Sequence, residues 1–368
     1  MILLDKYKFI KSNNEEILCE LFVLGNCLPS ISEIDGVKVV YNRQEINIIR
    51  VYSKVSSIQE LADISCVKAI HPVDYPITNV GLFQSEGDAI LNADDVRNLG
   101  VLGENCRIGV ISDGINPNVN DVLNDTHLGI ADTELPNIVV NEMNLNNTGS
   151  QLLVINPDGN GAEGTAMLEI IHDLIPEADL VFCPAGFNGG SIDNAIDTLR
   201  KLDCDIIVDD IAYPATSYFQ SNSGFTASIF NQINDYVMNE KGLYFSAVGN
   251  YADRHYESIV NFGNDTIHNF NVLENSMDFK IPGGEEIKIY VQWSEDYNNP
   301  NFDIDIELWH NKLGIDTILL KDYTVNRGLG QRPLATIVYE NDGGNKDVYL
   351  RIIHKGTDST PVPSNLKV

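Results

Sequence analysis

Between about residue 84 and residue 252, short apolar runs alternate with amphipathic helical stretches, and this alternation restricts the fold more than any other feature. The strand candidates are RIGVIS from Arg107, ADLVFCPAG from Ala178, CDIIVDDIAY from Cys204 and GLYFSAVGN from Gly242. Their runs are apolar on both faces, the pattern of strands buried in a parallel sheet. Between them, Ser191 is positioned to cap a helix whose Ile192, Ala195, Ile196 and Leu199 share one face. A second helix runs from about Thr226, with Ile229, Phe230, Ile233, Tyr236 and Val237 on one stripe and Gly242 after its end. Strand, helix, strand at this spacing predicts right-handed crossovers in a parallel sheet.

The flanks read differently. Residues 1 to 75 hold the strand-like runs EEILCELFVLG, INIIRVYSKV and VKAIHPV and one short helical piece, SIQELADI, which makes a small α+β unit. The segment DYPITNVGLFQSEGD follows as a connector. From about residue 255 helix signals stop. EEIKIYVQWS, FDIDIELWHN, ATIVYEND and KDVYLRIIHK are strands separated by Asn, Asp, Gly and Pro turns. FDIDIELW alternates apolar and acidic residues, so one face is buried and one is wet, as in a β-sandwich. Three domains are expected, at 1–75, 76–252 and 253–368.

Charge narrows the partners. The chain carries 53 acidic against 24 basic residues, a net charge of -29, and such a surface repels nucleic acid and anionic membranes. The six cysteines, at 19, 27, 66, 106, 183 and 204, form no Cys-x-x-Cys pair and sit mostly in apolar runs, so buried free thiols are expected. No metal-ligand spacing and no cofactor motif is found. The start, MILLDKYKFIKSNNEE, has an acid inside a very short apolar run and is no secretory signal; no later run is long enough to span a bilayer. A cytoplasmic location is expected for the chain as given, and a secreted one if a leader was removed.

The order of these pieces, with three landmarks, resembles the subtilisin-like serine peptidases. VISDGI (Val110 to Ile115) resembles the family's Asp motif at a strand end. EGTAMLEIIHDLIPEADL (Glu163 to Leu180) resembles its His-Gly-Thr helix, followed by a Pro turn and a strand. YFSAVGN (Tyr244 to Asn250) resembles the strand whose terminal Asn donates to an oxyanion. The resemblance covers most of the chain. It implies a doubly wound parallel-sheet α/β core of subtilisin type, preceded by a propeptide-like α+β unit and followed by an all-β sandwich.

The departures are as informative. Ser112 stands in the family's Asp column and Asp113 one place later. Side chains alternate along a strand, so this shift turns the carboxylate away unless a bulge or turn at the tip returns it. Glu163 stands in the His column. The nucleophile motif Gly-Thr-Ser-x-Ala does not occur in the 368 residues. A Glu works as a base when burial or a second carboxylate raises its pKa. The acid-active sedolisins place Glu there with an Asp one turn later, where this chain has Met167. Divergent bacterial members, with Ser-Asp-Ser at the tip and Glu-Gly at the helix start, are more similar. In those the nucleophile follows the sandwich, so a chain stopping at Val368 would end before it. His172 lies nine residues past Glu163, on the opposite helix face at roughly 100° per residue, and reads as a favourable charge at a helix end.

Asp209 and Asp210 end the strand that, by the resemblance, lines the substrate cleft. Asp210 falls in the column facing the centre, where it would share a proton with Glu163. Two readings stay open. In one, the chain is part of a serine peptidase, with Glu163 as base, Asp113 or Asp210 as its partner, Asn250 as oxyanion donor, and a Ser from downstream or from another chain. In the other it is a pseudopeptidase that kept the cleft to bind peptide or protein. Ser112, Asp209 and His255 belong to the expected cleft rim in both.

Overall fold

The computed structural model describes residues 12–13, 16–43, 46–73, 77–78, 90–115, 137–140, 151–155, 161, 163–186, 191–219, 224–251, 254–262, 266–312, 314–354 and 362–368. The expected connector, apart from Ile77 and Thr78, and His127 lie outside them. The chain divides into two compact units. One joins Met1–Asp74, Pro214–Ala227 and Tyr251–Val368; the other joins Tyr75–Tyr213 and Ser228–Asn250. The sequence reading kept 1–75 and 253–368 apart, whereas contacts gather Met1–Asp74 and Tyr251–Val368 into one unit.

The second unit is built on six parallel strands: β1 (Arg107–Ser112), β2 (Asn137–Val140), β3 (Gln151–Val154), β4 (Asp179–Pro184), β5 (Ile206–Asp209) and β6 (Leu243–Ser246). Their order across the sheet is β6-β5-β1-β4-β3-β2. Helices α1 (Glu163–Leu174), α2 (Ile192–Lys201) and α3 (Gly224–Asn234) connect successive strands. Period-two alternation puts Ile108 and Val110 of β1 and Ile206 and Val208 of β5 on one face, where they pack with Leu168, Met167 and Ile171 of α1 and Phe182 of β4. The opposite face is buried as well, with Ile111, Val181 and Ile207 inaccessible and Leu199 of α2 lying over Gly109, so both faces of the sheet contribute to stability.

Two helix expectations need correction. Ser191 does not cap the backbone of α2; its hydroxyl donates to the Asp193 carboxylate, which also accepts from Ser228 Oγ at 2.6 Å and the Asn194 N–H at 3.0 Å. A fully buried carboxylate needs such donors. Along the second helix Phe230 and Val237 are exposed and Tyr236 is buried. A π-turn at Asp235–Asn239 adds a residue to the turn and breaks the stripe beyond Asn234; Phe230 lies before it, in the regular helix.

In the first unit, Glu16–Val23 pairs antiparallel with Ile48–Lys54 on one side and Val67–Pro72 on the other, and Val37–Arg43 lies beyond Ile48–Lys54. Two short helices, Leu28–Ser32 and Ile58–Asp63, interrupt the strands in a split βαβ pattern. The first of them was absent from the sequence reading. Cys27 and Cys66 are joined by a disulfide with Cα atoms 5.8 Å apart, which corrects the expectation of free thiols. They lie just outside the paired ends Val23 and Val67, so strand pairing brings together residues that sequence spacing keeps 39 apart. Cys19, Cys106, Cys183 and Cys204 are free.

The sandwich has two four-stranded antiparallel sheets. One runs Glu257–Ile259, Asn365–Lys367, Glu286–Trp293, Leu334–Glu340; the other runs Met277–Ile281, Lys346–Ile353, Asp305–Lys312, Ile315–Asp322. Alternate residues from both, including Val291, Trp293, Ile306, Leu308, Ile337 and Leu350, fill its core.

Candidate functional site

Ser112 continues the buried face of β1 after Ile108 and Val110, and Asp210 continues that of β5 after Ile206 and Val208. The register pairs Asp209 with Ile111, which sets Asp210 beside Ser112. Ser112 Oγ donates to Asp210 Oδ2 at 3.2 Å. Ser112 is fully buried and Asp210 is 8% exposed. Both stand at carboxyl ends of adjacent parallel strands, where open α/β sheets gather ligands.

Asp113 comes next. β1 ends at Ser112, so the residue after it is released from strand alternation, and the chain turns there. Asp113 Oδ1 accepts the backbone N–H groups of Glu163 at 3.1 Å and Gly164 at 3.4 Å. These are among the unpaired donors at the start of α1, and the carboxylate also faces the positive end of the helix. The turn therefore does return the carboxylate, but to the helix backbone. That contact fixes the start of α1, and with it the place of Glu163.

Two glycines make this approach possible. A Cβ on Gly164 would lie 2.4 Å from the Phe182 ring and 2.7 Å from the Gly114 carbonyl oxygen. A Cβ on Gly161 would lie 1.5 Å from Asp113 Oδ2. A side chain at Gly164 meets the Gly114 backbone and pushes α1 off the strand tip, and one at Gly161 displaces the Asp113 carboxylate. The sequence reading missed Gly161; the signal was there, as glycines flanking Glu163 in GAEG.

Electrostatics set Asp210 apart. Its carboxyl is raised to about 7, by burial first, then by the Glu163 charge, with Asp113 adding to the rise and the Ser112 hydrogen bond opposing it. A carboxyl near 7 both takes and gives a proton at neutral pH.

Asp209 departs from its expected place. It belongs to the opposite face of β5, where it accepts from Ser246 Oγ at 3.0 Å and the Ile211 N–H at 3.1 Å, and is hydrogen-bonded to Tyr244. Burial raises its pKa and these bonds oppose the rise. It ties β5 to the edge strand β6 and is no part of the Ser112 cluster. Asn250 is exposed, past the end of β6. His255 is exposed and belongs to the first unit. Ser112, Asp113, Glu163 and Asp210 are thus the expected residues brought together. Among the described residues, no group of three or more His, Cys, Asp or Glu is placed to hold a metal ion.

No family model matches the chain, and no curated protein matches it. Among solved structures it is similar to the epidermin leader peptide processing serine protease (EpiP) of Staphylococcus aureus, at 15% identity and a TM-score of 0.35, over 64% of this chain and 61% of that one. A serine-to-alanine mutant of the same protease matches at 16% identity and a TM-score of 0.37, with the same coverage of 64% and 61%. The chain therefore spans about three fifths of the length of the protease chains that it matches.

Proposed function

We propose that the α/β unit is the acid–base part of a peptidase-type centre acting on peptide or protein. The observation that supports this most is Asp210: a buried carboxyl with a pKa of about 7, set beside Glu163 at the ends of parallel strands. In this reading Glu163 takes the proton of an attacking hydroxyl and returns it to the leaving amine. Asp210 shares the proton and keeps Glu163 ionised between turnovers. Asp113 holds Glu163 through the helix start, and Asn250 donates to the oxyanion. The hydroxyl comes from a Ser on a further segment or a second chain. The chain's resemblance to divergent subtilisin-like peptidases supports the assignment.

One observation favours the second reading, a peptide-binding pseudopeptidase. The 368 residues given contain no Gly-Thr-Ser-x-Ala motif, and Ser112, the serine of the carboxylate cluster, is fully buried with its hydroxyl donating to Asp210. A quenched-fluorescence peptide library separates the two. Cleavage that Glu163→Gln abolishes supports the peptidase. Peptide binding without cleavage supports the binding module. Neither cleavage nor binding overturns both.

The Cys27–Cys66 disulfide supports an oxidising, secreted setting. No helix of the described residues is long and apolar enough to cross a membrane.

A further inference from the structure

An antiparallel sheet with helices on one face ordinarily leaves the other face wet. The sheet within residues 16–73 does not. Its core face carries Ile17, Cys19, Leu21 and Val23, which pack with Ile31 and Leu61 of the two short helices. On the opposite face of the same strand, Leu18, Glu20 and Phe22 are also buried, at 1%, 5% and 7% exposure. Something covers them, and part of the cover is the sandwich loop 328–332.

That loop is held rigidly by its own domain. Gly328 N–H donates to the Pro300 carbonyl at 2.7 Å and Gly330 N–H to the Asn298 carbonyl at 2.6 Å, while the Arg332 guanidinium lies over the Tyr297 ring at 5.5 Å. So fixed, it offers two groups. Arg332 forms an ion pair with Glu20 Oε1, and the Gly330 carbonyl accepts from His71 Nε2 at 2.8 Å. Glu20 is opposed by Arg50 on one neighbouring strand and His71 on the other, and Arg50 pairs with Glu20 Oε2 at 2.9 Å. A Cβ on Gly330 would lie 3.0 Å from Ala69 Cβ and 3.4 Å from the Phe22 ring, so the loop runs close over both. One buried carboxylate is therefore shared by a guanidinium of its own sheet and one from the sandwich.

We infer that residues 16–73 are a retained partner of the β-sandwich, latched by Arg332 and Glu20 and by His71 and Gly330, and not a removable propeptide. This inference is independent of the proposed activity. Losing the amino-terminal piece would leave the sandwich loop without its carboxylate and would uncover Phe22. Both losses oppose release: the Glu20 carboxylate gives up one of its two guanidinium partners, and Phe22 gives up apolar burial.

The test severs the backbone without removing the piece. A protease site is inserted between Asp74 and Tyr75 of the full chain, cleavage is followed on a denaturing gel, and the product is run on native size exclusion at pH 7. The expected result is one peak containing both pieces. Separation of the wild-type pieces overturns the inference. Arg332→Ala and Glu20→Gln should each weaken retention on the order of 100-fold. If Arg332→Ala does not fold, Glu20→Gln decides, provided that its uncut chain keeps the wild-type circular dichroism. Retention equal to wild type then overturns the latch.

Discussion

Ser112 Oγ donates to Asp210 Oδ2 across 3.2 Å, and this bond ties together the ends of two neighbouring parallel strands. It also favours the charged form of Asp210, against burial, Glu163 and Asp113. Ser112→Ala removes it. The Asp210 carboxyl should then titrate above its present value of about 7. The carboxyl carbon shift followed by NMR across pH measures this directly; an unchanged or lower midpoint refutes it. The loss of the bond should cost about 1 kcal/mol in urea unfolding.

Asp210 also makes stability depend on pH. Its folded pKa is raised from 3.8 to about 7, so the folded state holds a proton that the unfolded chain releases earlier. The stability it contributes is fully present below 3.8 and is lost as pH rises through 7. Asp210→Asn should flatten this fall. Urea midpoints measured from pH 4 to pH 8 check it, and a wild-type slope that persists in the variant removes Asp210 as the cause.

The first unit should respond in the opposite direction. Burial pushes His71 and His268 from 6.5 down to about 4. Each stays neutral in the folded state while the unfolded chain takes up a proton, so stability is lost as pH falls from 6.5 towards 4. Glu20, held below its ordinary value by Arg50 and Arg332 against the cost of burial, adds to the loss at the acid end. Hydrogen exchange of strands Glu16–Val23 and Glu286–Trp293 should speed up between pH 6.5 and pH 4.5, relative to intrinsic rates, while that of β1 does not.

Asp113 should matter for folding before it matters for chemistry. Asp113→Ala leaves the first N–H groups of α1 without their acceptor and should cost about 1–2 kcal/mol, whereas Asp113→Asn, which keeps an acceptor, should cost less. Equal losses in the two variants, measured by chemical denaturation, would show that capping is not its contribution.

The disulfide closes a loop with a sequence separation of 39 residues. Its removal, as Cys27→Ser with Cys66→Ser, should destabilise the amino-terminal sheet by about 4 kcal/mol on the chain-entropy estimate. A urea midpoint unchanged by reduction would contradict this.

Several of these features were legible in the sequence. The period-two and period-3.6 patterns are local, so RIGVIS, DLVFCP and the α2 face from Ile192 to Leu199 announced strands and a helix without any knowledge of their neighbours. Glu163 and Asp210 stood out through the resemblance to subtilisin-like motif order, Glu163 standing in the His column and Asp210 in the strand column that faces the centre.

Non-local packing decided the rest. Whether Asp209 or Asp210 faces Ser112 depends on a register shared with β1, which no single segment encodes. The turn of Asp113 back to the start of α1 depends on how closely Gly161 and Gly164 let the helix approach. The pairing of Cys27 with Cys66, and of Glu20 with Arg332, joins residues far apart in the chain that only strand pairing and domain packing bring together. The sequence by itself determined which elements form and which carboxylates are candidates, because propensity and periodicity act over a few residues. Tertiary structure alone decided which of those carboxylates is raised and by what, because desolvation and charge coupling depend on neighbours in space.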